Sequence, residues 1–176
     1  VIHNGREAYP GVVECLQQAR REGVIVQLLS NAPRPNGPIR EQLTGFGVPA
    51  DAYDTVVTSG DLTRELLAKL GSSAQPFKFH RVGPDRDWPL FEGLHVVHVP
   101  MAEADAVVCT GPFDDTKETP DDYRDYWHDA LKRKLPFYCA NPDLVVQRGD
   151  QMIYCAGALA KGYEAQGGTV HYLGKP

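Results

Sequence analysis

The sequence predicts an α/β protein built on an open parallel sheet. Helix-like and strand-like segments alternate over the first third of the chain, glycines follow the helices, and small polar residues follow the strands. Residues 24–29, VIVQLL, are almost continuously apolar, which is typical of a parallel strand buried on both faces. Parallel strands need crossover helices, and the alternation supplies them.

The elements of the first third follow from residue spacing and from helix-ending signals. Val12, Val13, Leu16 and Ala19 lie on one face of the first helix, and Gly23 is placed to end it. The predicted elements are a helix over 10–23, a strand over 24–29, a helix over 38–46, a short strand at 56–57 and a helix over 60–70 with Ser59 as its cap.

The pattern changes after residue 71, which predicts a second unit. Thr119-Pro120-Asp121-Asp122 indicates a helix start, with a capping hydroxyl, proline at the first position and acids in the first turn. The predicted strands are 77–82, 94–99, 105–110, part of 135–143, and 169–173; the remaining predicted helix covers 156–166. The expected organisation is therefore an α/β unit followed by a second unit after residue 71.

Composition excludes several classes of protein. The net charge is -5, and no stretch combines Lys and Arg with aromatic residues, so nucleic acid is not an expected partner. No apolar stretch approaches the ~20 residues that span a bilayer, so no membrane association is expected. The four cysteines are scattered without a C-x-x-C pair, which favours buried free thiols over a zinc site and predicts a cytoplasmic location.

Polar residues follow several predicted strands. Ser30 and Asn31 follow the first, Thr58 and Ser59 the second, Asn141-Pro142-Asp143 a later one, and Gly174-Lys175 the last. Ligands bind beyond the carboxyl ends of parallel strands, and a short hydroxyl with an ammonium suits a phosphate. The alternative stays open that Ser30 and Asn31 only form a turn and that Lys175 is a solvated charge.

Four segments in this order, LLSNAP, VVTSGD, FYCANPD and GGTVHYLGKP, resemble haloacid dehalogenase (HAD)-like hydrolases of class IIA. That group includes the NagD-like, pyridoxal phosphate and phosphoglycolate phosphatases. The resemblance implies a HAD-like Rossmannoid core with a parallel sheet, formed by residues 1–71 and 167–176. It also implies an inserted α/β cap domain at 72–166.

The same resemblance implies a Mg²⁺-dependent phosphatase that acts on a small phosphorylated metabolite through an aspartyl-phosphate, with a homodimer as a possible assembly. Ser30 and Lys175 match the family's phosphate hydroxyl and cation, and we expect both to be catalytic. Asn31, Asp143 and Ser59 are expected to bind substrate. The nucleophile and the metal-binding aspartates are expected outside this chain, so the chain alone should be inactive.

Substrate selection is expected from the cap. Candidate selectors are His80, Arg81, Trp88, Tyr126, Trp127 and His128. Tyr126 and Trp127 lie on the apolar face of a predicted helix, which favours core positions for both. Two alternative functions remain: a catalytically impaired HAD-like protein that only binds phosphate or another ligand, and a nicotinamide-binding Rossmann domain. The latter needs G-x-G-x-x-G, and Gly45-Phe46-Gly47 opens no predicted helix.

Overall fold

Parallel strand pairing organises the protein, as the sequence predicts. The computed structural model describes residues 2–175. The helices are α1 (Val12–Arg21), α2 (Asn36–Gly45), α3 (Ser59–Leu70), α4 (His128–Lys132) and α5 (Ala156–Ala165). The strands are β1 (Gln27–Ser30), β2 (Thr55–Thr58), β3 (Phe77–Val82), β4 (Val96–His98), β5 (Ala106–Cys109), β6 (Phe137–Cys139), β7 (Val145–Arg148), β8 (Gln151–Tyr154) and β9 (Val170–Tyr172).

The first unit contains a two-stranded parallel sheet. β1 pairs with β2 from Gln27 opposite Thr55 to Ser30 opposite Thr58, and α1 and α2 pack against the inner side of this pair. The prediction of a strand buried on both faces is wrong, because Ile25 is 75% exposed and Leu29 is 57% exposed. Within residues 2–175, β1 has β2 as its only strand neighbour, so alternate side chains of β1 face outwards.

The second unit of the structure contains a five-stranded sheet with the order β4-β3-β5-β6-β9, and all its pairs are parallel. Its central strand β5 is buried along its whole length, as expected for a parallel strand covered on both faces. Residues 167–176 were predicted to belong with residues 1–71. Their strand β9 pairs with β6 in the five-stranded sheet. The domain boundaries stay a prediction.

An antiparallel hairpin, β7–β8, is absent from the sequence prediction. Arg148 pairs with Gln151 across a two-residue turn of Gly149 and Asp150, and Gly149 has φ +62°. A Gly-Asp pair between two short strands is a hairpin signal, so the sequence did contain it. A Cβ on Gly149 would lie 2.6 Å from Arg6 Nη2, which places the hairpin tip against the first residues of the chain.

Two predicted helix starts are shifted in the structure. Thr58, not Ser59, caps α3: its Oγ1 accepts the Asp61 N–H at 2.9 Å, and its own N–H donates to Asp61 Oδ2 at 3.0 Å. The reason is that β2 runs through Thr58, so Ser59 is already helical. Thr119 caps only a 3₁₀ turn, Pro120–Tyr123, and α4 follows as a separate short helix.

Core predictions for individual residues hold in part. Trp127 is 1% exposed and lies in the core of the second unit, whereas Tyr126 is 37% exposed. All four cysteines are free; Cys109, Cys139 and Cys155 are buried, but Cys15 is exposed. None of the helices within residues 2–175 combines the length and the apolarity that crossing a membrane requires.

Candidate active site

A cavity of about 720 Å³ opens between the two units. Its walls come from the first residues of the chain, β1 and the loop that follows it, α2, and the loops and hairpin of the second unit. This volume is typical of sites for small molecules, which span roughly 300–1,000 Å³. Both Ser30 and Lys175 line it, although their nearest strands belong to different sheets.

Ser30 is the last residue of β1 and is half-buried at the cavity wall. Its Oγ accepts the Ala32 N–H at 3.2 Å. Within residues 2–175 no group accepts the Ser30 hydroxyl proton, so the O–H can donate to an anion in the cavity. Lys175 is exposed and makes no salt bridge with a residue of the same described range.

Asn31 joins three separate chain segments beside Ser30. Its Oδ1 accepts the backbone N–H of Lys175 at 2.8 Å, and its Nδ2 donates to Asp143 Oδ1 at 2.8 Å. Asn31 is only 6% exposed, and an amide offers both an acceptor and donors. The side chain therefore fixes the strand end of the first unit to the Asn-Pro-Asp turn and to the Gly-Lys segment.

Gly174 is required by this close approach. A Cβ there would lie 2.2 Å from Ser59 Oγ and 2.7 Å from Asn31 Oδ1, and the residue has φ +147°. Real Cβ atoms do not come this close to other heavy atoms, and such a φ disfavours any side chain. The glycine before Lys175 thus lets the backbone reach Asn31.

The turn that carries Asp143 is held from both sides. Asn141 Oδ1 accepts the Asp143 N–H at 3.1 Å, and the Asp143 carbonyl accepts the Gly157 N–H at 3.2 Å. Gly157 lies in the first turn of α5, and a Cβ there would lie 2.2 Å from the Pro142 carbonyl oxygen. Asp143 therefore lines the cavity with its carboxylate engaged by Asn31.

Ser59, a predicted substrate-binding residue, lies away from the cavity wall. It is 1% exposed, and its hydroxyl donates to Asn31 Oδ1 at 3.3 Å. The structure therefore brings together four of the five predicted residues, Ser30, Asn31, Asp143 and Lys175, at the cavity. The fifth supports Asn31 from behind. Whether any of them binds substrate stays a prediction.

Five charged cavity residues were not predicted: Arg34, Arg86, Asp87, Asp115 and Arg148. Asp115 Oδ1 and Oδ2 accept Arg148 Nη1 and Nη2 at 3.2 and 2.8 Å, and Oδ2 also accepts Arg86 Nη2. Burial opposes ionisation of Asp115, but the hydrogen bonds from Arg148 and Arg86 outweigh it and hold the pKa of this carboxyl below its ordinary value. No periodic pattern links these five positions, which explains why the sequence did not reveal them.

Two other groups at the cavity are perturbed by burial. Asp87 is 2% exposed, and burial raises its pKa despite the nearby arginines. Burial lowers the pKa of Arg34, while the charge of Asp87 raises it. Arg34 Nη2 donates to Gln42 Oε1 at 2.8 Å. The cavity therefore contains four basic side chains, at positions 34, 86, 148 and 175, and three acids, at 87, 115 and 143.

The acids that line the cavity do not fit a magnesium site. Within residues 2–175 there is no group of three or more His, Cys, Asp or Glu side chains that could hold a metal ion. The Asp115 carboxylate is bonded to two arginines, and Asp143 is bonded to Asn31. These side chains therefore support no chemical step through a metal.

None of the predicted cap selectors lines this cavity. Arg81 is 8% exposed and donates to the carbonyls of Gly83 and Pro84 at 2.6 and 2.9 Å, so it holds the loop after β3. His80 Nε2 and the Tyr126 hydroxyl share a hydrogen bond of 2.7 Å outside the cavity. The sequence indicates the chemistry of these side chains, and only the tertiary structure shows which face they occupy.

Comparisons with known proteins agree with the observed fold. The family model described as "Haloacid dehalogenase-like hydrolase" matches residues 1–83. A haloacid dehalogenase-like hydrolase from Brucella suis is 45% identical over 100% of this chain, with a TM-score of 0.93, and the chain spans 63% of that protein. No curated protein sequence matched.

Two more distant structures show the same fold. NagD from Escherichia coli is 24% identical over 100% of this chain and 66% of its own length, with a TM-score of 0.64. A glycerol phosphate phosphatase from Mycobacterium tuberculosis, solved with calcium, is 23% identical over 100% of this chain and 51% of its own length, with a TM-score of 0.68. The α/β fold with parallel sheets, the family match and the 45% identity lead to one conclusion: this chain belongs to the haloacid dehalogenase-like hydrolase family.

Proposed function

We propose that this chain forms the substrate cleft of a phosphoric monoester hydrolase that acts on a small phosphorylated metabolite. One observation carries the proposal: Ser30 and Lys175, far apart in sequence, line one cavity. The hydrogen bond from the Lys175 backbone to Asn31, across 144 positions of sequence, fixes their relation. The glycerol phosphate phosphatase of similar fold supports the same reaction class.

The chain's own residues have distinct roles in this proposal. The Ser30 O–H donates to a phosphoryl oxygen, and the Lys175 ammonium balances the charge that grows on the phosphoryl group during transfer. Asn31 positions both by holding the two backbone segments, and Asp143 orients Asn31. The second unit acts as a cap that closes the cleft and excludes water.

The nucleophile and the metal belong to the proposal for the whole protein. Transfer through an aspartyl-phosphate, with Mg²⁺ neutralising charge, follows from the family resemblance. The acids of the cavity are either hydrogen-bonded or buried. Asp115 is bonded to arginines, Asp143 is bonded to Asn31, and Asp87 is only 2% exposed. We therefore expect no turnover of p-nitrophenyl phosphate by residues 1–176 alone.

The test uses the full-length protein with Mg²⁺ and a panel of phosphorylated metabolites. Replacing Ser30 with Ala should lower kcat roughly 10²- to 10³-fold, the usual cost of one donor to a reacting oxyanion, and Lys175→Met should lower it at least as much. Ser73→Ala and Lys69→Met change exposed residues outside the cavity and serve as controls. Full activity of the Ser30 variant would overturn its role. Binding of phosphorylated ligands without release of phosphate would instead support the catalytically impaired binding protein.

A further inference from the structure

The cavity contains a second group of positive charges, separate from Lys175, on the loops of the second unit. Arg86 lies in the 3₁₀ turn after β3, and Arg148 ends strand β7 of the hairpin. Asp115, whose side chain is 8% exposed, accepts hydrogen bonds from both guanidinium groups. We call these two arginines the arginine pair.

The arginine pair is not neutralised by its partner. One carboxylate faces two guanidinium groups, so the group of three carries a net charge of about +1. The two side chains remain 50% and 43% exposed, and one nitrogen of Arg86 and two of Arg148 bond to Asp115. Within residues 2–175, the remaining N–H groups of both have no hydrogen-bond acceptor, which leaves them for a ligand.

Other charges near the pair do not cancel this excess. Asp87 lies on the same wall, and burial raises its pKa; even when it is ionised, its charge is offset by the nearby guanidinium of Arg34. Arg34 adds a third guanidinium that forms no salt bridge within residues 2–175. A cavity with this balance in a protein of net charge -5 concentrates anions locally.

Buried support distinguishes this group from surface charges. Asp115 bonds Arg148 through both of its oxygens, so the guanidinium plane is fixed rather than free to rotate. Fixed guanidinium groups bind carboxylate and phosphate through paired N–H donors. A preorganised donor set facing a cavity is the arrangement that selects a ligand by charge.

We propose that the arginine pair binds a second anionic group of the substrate, a carboxylate or a second phosphate, while the reacting phosphate lies at Ser30 and Lys175. This inference rests on the proposed function and narrows its substrate class to phosphorylated metabolites with an anionic tail. Phosphorylated sugars and alcohols that have no second anionic group are then poor substrates, because they leave the guanidinium groups of the arginine pair without a ligand charge.

The test compares matched substrates with the full-length protein. 3-Phosphoglycerate and glycerol 3-phosphate differ by a carboxylate in place of a hydroxymethyl group, and fructose 1,6-bisphosphate and fructose 6-phosphate differ by a second phosphate. We expect kcat/KM to be roughly 10- to 100-fold higher for the anionic member of at least one pair, from charge-assisted hydrogen bonds. The pair that shows the preference distinguishes carboxylate from phosphate.

Variants then assign the preference to the arginine pair. Arg86→Gln should lower the ratio of kcat/KM between the two members of that substrate pair several-fold, and Arg148→Gln should lower this ratio further. Because Arg148→Gln leaves Asp115 with one partner, the double variant Arg148→Gln with Asp115→Asn removes charge and counter-charge together. Arg124→Gln is the matched control, since Arg124 is 72% exposed, pairs with Asp121 and lies outside the cavity.

The outcomes separate the two proposals. If p-nitrophenyl phosphate is hydrolysed but neither substrate pair shows a higher kcat/KM for its more anionic member, the arginine pair is not a substrate site. The same conclusion follows if the arginine variants leave the ratio of kcat/KM unchanged. If no phosphate ester is hydrolysed, the proposed function fails. Calorimetry of 3-phosphoglycerate and fructose 1,6-bisphosphate binding then decides the inference. Tighter binding than that of glycerol 3-phosphate or fructose 6-phosphate, lost in Arg148→Gln, supports it. Equal binding of the matched substrates overturns it.

Discussion

The two ends of the cavity are built by different physical means. Around Asn31, a buried amide bonds to the Lys175 backbone N–H and to the Asp143 carboxylate at 2.8 Å each, and Gly174 leaves no space for a side chain. Around Asp115, charged groups bond at a half-exposed wall. The structure of the Asn31 end depends on close packing and hydrogen bonding, and the structure of the Asp115 end depends on charge and therefore on pH.

This difference suggests a division of labour. A buried amide with satisfied partners holds one geometry, because any other geometry leaves polar groups unpaired. Arginines on loops and on a hairpin can be exchanged without disturbing the strand ends. Under the proposed function and the proposed anion site, the Asn31 end fixes the reaction geometry and the Asp115 end sets the choice of substrate.

The sharpest test of the shape-dependent end is Gly174→Ala. The added Cβ would meet Ser59 Oγ at 2.2 Å, so we expect a loss of roughly 3–4 kcal/mol in the free energy of unfolding from overpacking and backbone strain. Urea unfolding measures it. Gly162→Ala is the control, because a Cβ at this position in α5 meets no atom within 4 Å and should stabilise the helix by roughly 0.5–1 kcal/mol. Equal stability of the Gly174 variant and the wild type would contradict the close approach.

A second test removes the shared hydrogen bonds at the same end. Asn31→Ala leaves the Ser59 hydroxyl, the Lys175 N–H and Asp143 without their partner, and should cost about 2–3 kcal/mol. Ser59→Ala removes only the 3.3 Å bond and should cost about 1 kcal/mol or less. Thermal and urea unfolding of the two variants give the comparison. If Ser59→Ala costs as much as Asn31→Ala, then Asn31 does not join the three segments.

The smallest expected effect is at the charge-dependent end, and it varies with pH. The folded-state pKa of Asp115 lies below its ordinary value, so the carboxylate stabilises the fold above pH of about 4. That contribution is lost as the pH falls through the folded-state pKa. Asp115→Asn should therefore be about 1–2 kcal/mol less stable at pH 7, and the difference should shrink below pH of about 4.

Unfolding curves over the acidic and neutral pH range test this dependence. Asp121→Asn, in an exposed pair with Arg124 whose side chains are 86% and 72% exposed, is the control and should show little change at any pH. A difference for Asp115→Asn that stays constant with pH would mean that packing, not charge, accounts for its effect.

Local patterns predicted much of the fold. Helix periodicity and glycine stops placed α1, α2, α3 and α5 within a few residues, since these signals depend on neighbours in sequence. The hairpin was missed although its Gly149-Asp150 turn was visible, because its strands are short and their burial is mixed. The last strand was predicted, but its pairing with β6 was not, because strand pairing depends on contacts between residues far apart in sequence.

The sequence by itself determined that small polar groups end parallel strands, and so predicted that Ser30, Asn31, Asp143 and Lys175 lie where ligands bind. Only the tertiary structure decided that Ser59 turns inwards to Asn31 and that Arg86, Asp115 and Arg148 meet at one wall. The physical reason is the distance in sequence between the groups that interact. Strand-end chemistry follows from the local backbone, whereas an ion pair between loops exists only after the packing of the whole chain brings them together.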